Sequence, residues 1–183
     1  MIRILRAESH IRMPWKNGAG QTVEIATAPA NASLENFVWR VSIAKVANSG
    51  PFSSFPTVDR TLAVLSGKMI LHVSGRPDVA MCATSAPHRF PGDLPTRATV
   101  LEPVTDLNIM TRRGVCSVTL DRIESCGQFE AGSETLLLLQ SKATLANGQT
   151  ATRDDVLWLP SGTRVAFSTA PAVLWAMEFC TIS

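Results

Sequence analysis

Apolar residues in this chain recur at every second position, in short runs cut off by turn residues, and almost nowhere at helical spacing. A strand sends alternate side chains to opposite faces, so this pattern admits half-buried sheets and excludes a helical bundle. Residues 37–45 show it well. Trp39, Val41 and Ile43 fall on one face, and Arg40, Ser42 and Ala44 on the other. Residues 61–65, the pair Ser66-Gly67 and residues 68–73 read as a hairpin whose second strand carries Met69, Leu71 and Val73 as one apolar stripe. Residues 100–111 and 114–120 add further strands. The chain is expected to be all-β.

The second half repeats the plan of the first. L-A-V-L-S-G-K-M-I-L-H-V-S-G (residues 62–75) is answered by L-L-L-L-Q-S-K-A-T-L-A-N-G (residues 136–148). Each run leads to a proline-marked corner, F-P-G-D-L-P at 90–95 and W-L-P-S-G-T at 158–163, and each half then closes with an apolar strand, near 101–110 and 173–179. Two short-stranded antiparallel units of the same order suggest two jelly-roll barrels in one chain. The expected division is residues 1–120 and 121–183, with exchange of a strand between the halves allowed.

Composition narrows the function classes. With 45% apolar residues the chain fills a core without crosslinks. Cys82, Cys116, Cys126 and Cys180 form no C-x-x-C or other metal spacing, so they read as reduced, mostly buried thiols. The charged first residues hold no apolar stretch of the signal-peptide kind, and the leucine run 136–139 is far shorter than the roughly 20 residues that span a bilayer. The expected location is cytoplasmic, with no membrane contact. Net charge is +2 with the basic residues scattered, which speaks against nucleic acid. Arg112-Arg113 reads as a solvated strand end.

The stretch M-P-W-K-N-G-A-G-Q-T-V-E-I (residues 13–25) has the glycines of a phosphate loop but not its order. Lys16 precedes Gly18 and Gly20, and a strand-like segment follows instead of a helix. It reads as a tight turn at Asn17-Gly18 that feeds a strand.

Five motifs then stand in order: W-K-N-G-A-G-x-T-x-E-I at 15–25, W-R-x-S-I-A at 39–44, G-P-F-S-x-F-P-x-x-D-R at 50–60, L-x-G at 65–67, and D-L-N-I-M-T-R at 106–112. Together they resemble the HutD/Ves family of bicupins, over nearly the whole chain. The resemblance implies a double cupin and a link to bacterial histidine utilisation, where HutD-type members restrain pathway expression by binding an intermediate. Ves-type members are tied to environmental stress, and no reaction is attached to either type. Val23 and Thr57 stand where the family often has an arginine and a glycine, so one anion partner found in relatives is missing.

Among the histidines, His10, His72 and His88 include no H-x-H pair, so no cupin-type metal site is expected, and no cofactor. His72 reads as a strand histidine and His88 as a loop residue. Metal-free cupin enzymes use a His–Asp pair and a tyrosine, but this chain has no tyrosine. Asp59 and His72 on adjacent strands remain conceivable as an acid–base pair, and no catalytic residue is assigned.

The favoured constellation is a ligand pocket at a barrel mouth. Arg60 begins an otherwise apolar face with Leu62 and Val64, an arrangement that is costly unless the guanidinium meets an anion or a partner. Thr22 and Glu24, Arg40 and Ser42, and Asp106 and Asn108 each share a strand face. Two arginines would hold a carboxylate. Asn17, Glu24 and Asn108 would bond an amide or amine, and Trp15 would supply an apolar wall. The competing reading is an architectural network in which Arg60 pairs with Glu24 or Asp106. Asp59 is expected to orient Arg60 or to cap a turn, and Arg153, Asp154 and Asp155 to form a solvated corner.

The expected function is therefore a metal-free bicupin that binds a small anionic metabolite, such as formylglutamate or urocanate, and acts as a regulator or sensor. Its rival is a metal-free isomerase or hydrolase acting on a small carboxylic acid. A homodimer stays open.

Overall fold

A computed structural model describes residues 1–14 and 20–182. The strands, in chain order, are β1 (Arg3–Leu5), β2 (Ile11–Pro14), β3 (Gly20–Ala28), β4 (Trp39–Val46), β5 (Gly50–Pro51), β6 (Val58–Val73), β7 (Val79–Cys82), β8 (His88–Pro91) and β9 (Thr96–Arg112). They continue as β10 (Cys116–Glu124), β11 (Gln128–Glu130), β12 (Glu134–Leu139), β13 (Ala143–Leu145), β14 (Thr150–Ala151), β15 (Val156–Leu159), β16 (Arg164–Thr169) and β17 (Val173–Thr181). The described residues contain no α-helix, only a 3-10 turn at Ala7–Ser9, and no helix long and apolar enough to cross a membrane. The run 136–139 is strand, as its place in the repeated strand–turn–strand order predicts.

The chain divides into two compact units, residues 11–116 and residues 1–10 with 117–183. In the first, one antiparallel sheet runs β2-β3-β4-β9-β6-β7, with β5 added to β9 and β8 to β6. In the second, one sheet runs β1-β15-β12-β17-β10 and another β11-β16-β13-β14. The opening strand thus belongs with the C-terminal half: Arg3, Ile4 and Leu5 face Trp158, Leu157 and Val156. Each unit is an antiparallel jelly roll, and the fold is a bicupin.

The expected hairpin at Ser66-Gly67 does not form. β6 runs unbroken from Val58 to Val73 beside β9, and the ladder between them shifts register three times between Val64 and Met69. Gly67 has φ +84, and a Cβ there would lie 2.1 Å from the Pro103 carbonyl oxygen. Such a glycine serves a bulge as well as a turn. Here it bends a long strand around the barrel instead of reversing it.

The two proline corners are built alike. Gly92 N–H donates to Val58 O and Phe55 N–H to Gly92 O; in the other unit Gly162 N–H donates to Ala131 O and Ala131 N–H to Thr163 O. The core of unit 11–116 contains Leu62, Val64, Met69, Leu71, Phe90 and Val104. That of the other unit contains Leu137, Leu139, Leu157, Leu159, Leu174 and Ala176. All four cysteines are free thiols; Cys116 and Cys126 are buried, Cys82 half-buried and Cys180 exposed.

Candidate functional site

Residues directly opposite on neighbouring antiparallel strands share a face, so the registers of unit 11–116 decide what meets what. Thr22 lies opposite Ala44 and Glu24 opposite Ser42. Arg40, Ser42 and Ala44 lie opposite Met110, Asn108 and Asp106. Arg60, Leu62 and Val64 lie opposite Met110, Asn108 and Asp106 from the other side. Phe90 and His88 continue the row beside Arg60 and Leu62. Thr22, Glu24, Arg40, Ser42, Arg60, Asp106 and Asn108 therefore all lie on one sheet face. Trp15 and Asn17 lie outside the described residues.

Both faces of β4 are buried, so its polar row is no solvent face: Arg40, Ser42, Arg60, Asp106 and Asn108 are all buried. Arg40 Nε donates to Glu24 Oε2 at 2.6 Å, which neutralises that arginine. Arg60 Nε donates to Asn108 Oδ1 at 3.2 Å, and Nη1 reaches the Ser53 carbonyl at 3.4 Å. The Arg60 guanidinium carbon stands 4.7 Å from the Phe52 ring centroid, 5.4 Å from that of Phe90 and 5.9 Å from that of Phe55. Aromatic faces offset part of the cost of drying a cation. Arg60 makes no ion pair within contact distance among the described residues. The architectural pairing of Arg60 with Glu24 is not formed, and Asp106 acts on it only through its field.

That field is uneven. Burial drives the Arg60 pKa down to about 10, with Asp106 opposing the shift and Arg40 adding to it. Burial likewise pushes Asp106 up to about 7 against the pull of Arg60. No group among the described residues donates a hydrogen bond to the Asp106 carboxyl. Near neutral pH this face thus holds one neutralised arginine, one charged arginine and an acid that is only partly ionised. The surplus is positive, and it suits an anion.

The aromatic wall of Phe52, Phe55 and Phe90 is absent from the sequence-predicted set. Phe52 and Phe55 lie in the connection just before β6, so no strand period marks them; their spacing ahead of Arg60 was the available signal. His88 lies in β8, not in a loop. It stacks on Phe90 at 6.1 Å, its Nε2 is buried without a hydrogen bond among the described residues, and burial, then Arg76, lowers its pKa.

Other expectations give way. Asp59 and His72 occupy the same strand, β6, so they form no acid–base pair across strands. Asp59 does not orient Arg60 but accepts from Arg89 at 2.8 Å and Arg113 at 2.9 Å. His72 is held by Asp78 on Nδ1 at 2.8 Å and Thr99 on Nε2 at 2.9 Å, so both ring nitrogens are engaged. No three histidine, cysteine or carboxylate side chains among the described residues cluster as a metal site. Arg112 ends β9 and Arg113 is exposed, as expected, but both are held by partners. Arg112 donates to the Glu35 and Phe37 carbonyls, and Arg113 clamps Asp59 and Asp93. Asp155 is buried, not a solvated corner: it accepts from Arg6, from the Ala7 and Thr152 backbone N–H groups and from the Thr152 hydroxyl.

The sequence model of the HutD family matches residues 7–175. The Ves protein of Cronobacter sakazakii is 31% identical over 153 residues, 81% of each chain. A 21.2 kDa protein from the hutC 3' region of Pseudomonas putida is 32% identical over 144 residues, 78% of this chain and 75% of that one. The structure of HutD from Pseudomonas fluorescens SBW25 superposes with a TM-score of 0.83 at 27% identity, covering 100% of both chains. With a family match across most of its length and a shared fold over all of it, this chain belongs to the HutD family.

Proposed function

We propose that this protein binds a small carboxylate on the inner face of unit 11–116 and works as a metabolite-responsive regulator of histidine utilisation in the cytoplasm, where its thiols stay reduced. One observation carries the reading. Arg60 is buried among three phenylalanines, charged at neutral pH, and paired at contact distance with no carboxylate among the described residues. Burying a guanidinium without a bonded anion is costly, and a ligand carboxylate is the partner that relieves it. Intermediates of histidine degradation such as urocanate and formylglutamate carry that group. The relatives' names, HutD and a protein of the hutC region, support the same pathway.

A thermal-shift panel of urocanate, formiminoglutamate, formylglutamate and simple dicarboxylates tests this. A true ligand at a hundred times its Kd stabilises by about 2.7 kcal/mol. Arg60→Met keeps most of the stem volume and removes the charge. Its affinity for that ligand should fall about ten- to a hundredfold, the worth of a charge-assisted hydrogen bond at about 1.5–3 kcal/mol. A variant that loses stability heavily but binds unchanged in its folded fraction would make Arg60 architectural.

A second reading has its own observation. A buried carboxyl that titrates near neutrality beside a cation is the type of group that moves protons in catalysis. On that reading Asp106 makes the protein a metal-free isomerase or hydrolase of a small acid. Following each bound ligand by NMR for new resonances, or for exchange of its carbon-bound protons with solvent deuterium, separates turnover from binding.

A further inference from the structure

Among the described residues, six charged or titratable ones share the inner-face rows of unit 11–116. They are Glu24 from β3, Arg40 from β4, Arg60 from β6, His88 from β8, and Asp106 and Arg112 from β9. Arg112, at the end of β9, is taken up by the Glu35 and Phe37 carbonyls. Glu24 is taken by Arg40 at 2.6 Å. His88 stacks on Phe90 and feels Arg76. That leaves Arg60 as the counter-charge of Asp106, and the two carry opposing influences on each other. Asp106 is 2% exposed, with no hydrogen-bond donor among the described residues. A ligand carboxylate on Arg60 would therefore set two anions against one guanidinium in a site closed to water. Like charges that share a dry site do not both stay ionised. The ligand, an ordinary carboxylic acid, keeps its charge, and the weaker acid gives way.

We propose that Asp106 is the specificity-determining acid of the Arg60 site: it takes up a proton when a ligand carboxylate docks on Arg60, and its O–H then donates to that carboxylate. The proton passes from solvent to an Asp106 carboxyl oxygen, and no covalent bond forms to the ligand. Two consequences follow. Carboxylate binding and Asp106 ionisation exclude each other, so affinity weakens as pH rises. An ammonium-bearing ligand, which needs an ionised partner, competes poorly with a plain carboxylate. The proposal rests on the anion-binding reading above.

Calorimetry separates the two ideas. Acetate and succinate are titrated into the protein at pH 6 in Bis-Tris and at pH 8 in Tris and in HEPES, whose ionisation heats differ. With Asp106 titrating near 7, wild-type affinity should be about tenfold lower at pH 8 than at pH 6. At pH 8 the heats in the two buffers should differ by close to one proton taken up per ligand bound. Asp106→Asn should bind with no proton uptake and equal affinity at both pH values. The wild-type buffer comparison needs no variant to fold. Binding by the wild type without proton uptake would overturn the role of Asp106 while leaving the anion site standing. So would a pH dependence that persists in Asp106→Asn, which would point to His88. No binding of either carboxylate at pH 6 would sink this proposal together with the anion site, and that outcome differs from the first two.

Discussion

Each unit of this protein buries one aspartate, and the two live under opposite rules. Asp155, in the unit of residues 1–10 and 117–183, is 3% exposed and receives hydrogen bonds from Arg6, Ala7 and Thr152. Burial alone would raise its pKa, but the Thr152 and Ala7 N–H groups and Arg6 outweigh it and hold the group below its ordinary value. Asp106, equally buried, has only the field of Arg60, and burial wins. One acid is satisfied in the way a structural group must be. The other is left poised.

The comparison widens when the strands are matched. In unit 11–116 the first half of β6 lies between β8 and the end of β9, and its second half between β7 and the start of β9. In the other unit β12 lies between β15 and β17, and β13 between β14 and β16. Phe90 and Leu159 each precede the corner proline, which aligns Arg60 with Thr135, Leu62 with Leu137 and Val64 with Leu139. Across the ladder Asn108 then matches Ala176, and Asp106 matches Leu174. Where one unit holds Arg60, Asn108 and Asp106, its counterpart holds a small hydroxyl and two aliphatic side chains inside a leucine core. The same strand plan thus forms with no charge at these three positions, so the strand plan does not require Arg60 and Asp106.

The harshest break of the comparison puts the acid where the leucine unit has no guanidinium. Leu174→Asp sets a carboxyl at the counterpart of Asp106, among Leu137, Leu139 and Leu159. An uncompensated buried charge costs about 3–5 kcal/mol, so the denaturant midpoint should fall by a large fraction of a domain's stability. A loss within about 0.5 kcal/mol, the range of an ordinary surface substitution, would mean that this core is as tolerant of charge as the other.

Much of this was legible from period-two alternation. It placed Arg40 with Ser42, Asp106 with Asn108 and Thr22 with Glu24 on shared faces, and the strand registers join those rows into one. What alternation cannot supply is the partner. Asp155 finds Arg6 and Ala7 across nearly the whole chain, and Arg113 finds Asp59 from 54 residues away, so neither partner shows in the local sequence. The bend in β6 was hidden for a different reason. Ser66-Gly67 has the chemistry of a turn, but a turn and a bulge ask the same positive φ of glycine, and only the unbroken ladder to β9 tells them apart. In the other unit the matching place is split by Gln140 to Lys142, and β12 and β13 pair in different sheets.

The two aspartates predict opposite pH behaviour. Asp106 has a folded pKa above its ordinary value of 3.8, so the native state keeps a proton that the unfolded chain releases. Its contribution is fully present below about 3.8 and is lost as pH rises towards 7. Asp106→Asn removes that loss. The variant should match the wild type near pH 4 and exceed it at pH 8 by up to about 4 kcal/mol, some three pKa units at 1.36 kcal/mol each. Urea unfolding at the two pH values reads the difference directly. Equal stability of the two proteins at pH 8 would mean that Asp106 ionises without strain in the folded state.

Asp155 supplies the smaller effect and the opposite slope. Its folded pKa lies below 3.8, so its contribution is present above that value and is lost as pH falls through the folded one. Asp155→Asn leaves an amide that cannot accept charge-assisted bonds from Arg6, Ala7 and Thr152 together, and its nitrogen now faces their donors. At pH 7 the variant should lose about 1.5–3 kcal/mol, the range for hydrogen bonds to a charged group. As pH falls through the folded pKa of Asp155 the wild type protonates the same carboxyl, so the gap between the two proteins should close from the wild-type side. A gap that stays constant while NMR shows the Asp155 carboxyl taking up its proton would assign the loss to packing of the amide, and the contrast with Asp106 would then be one of shape instead of charge.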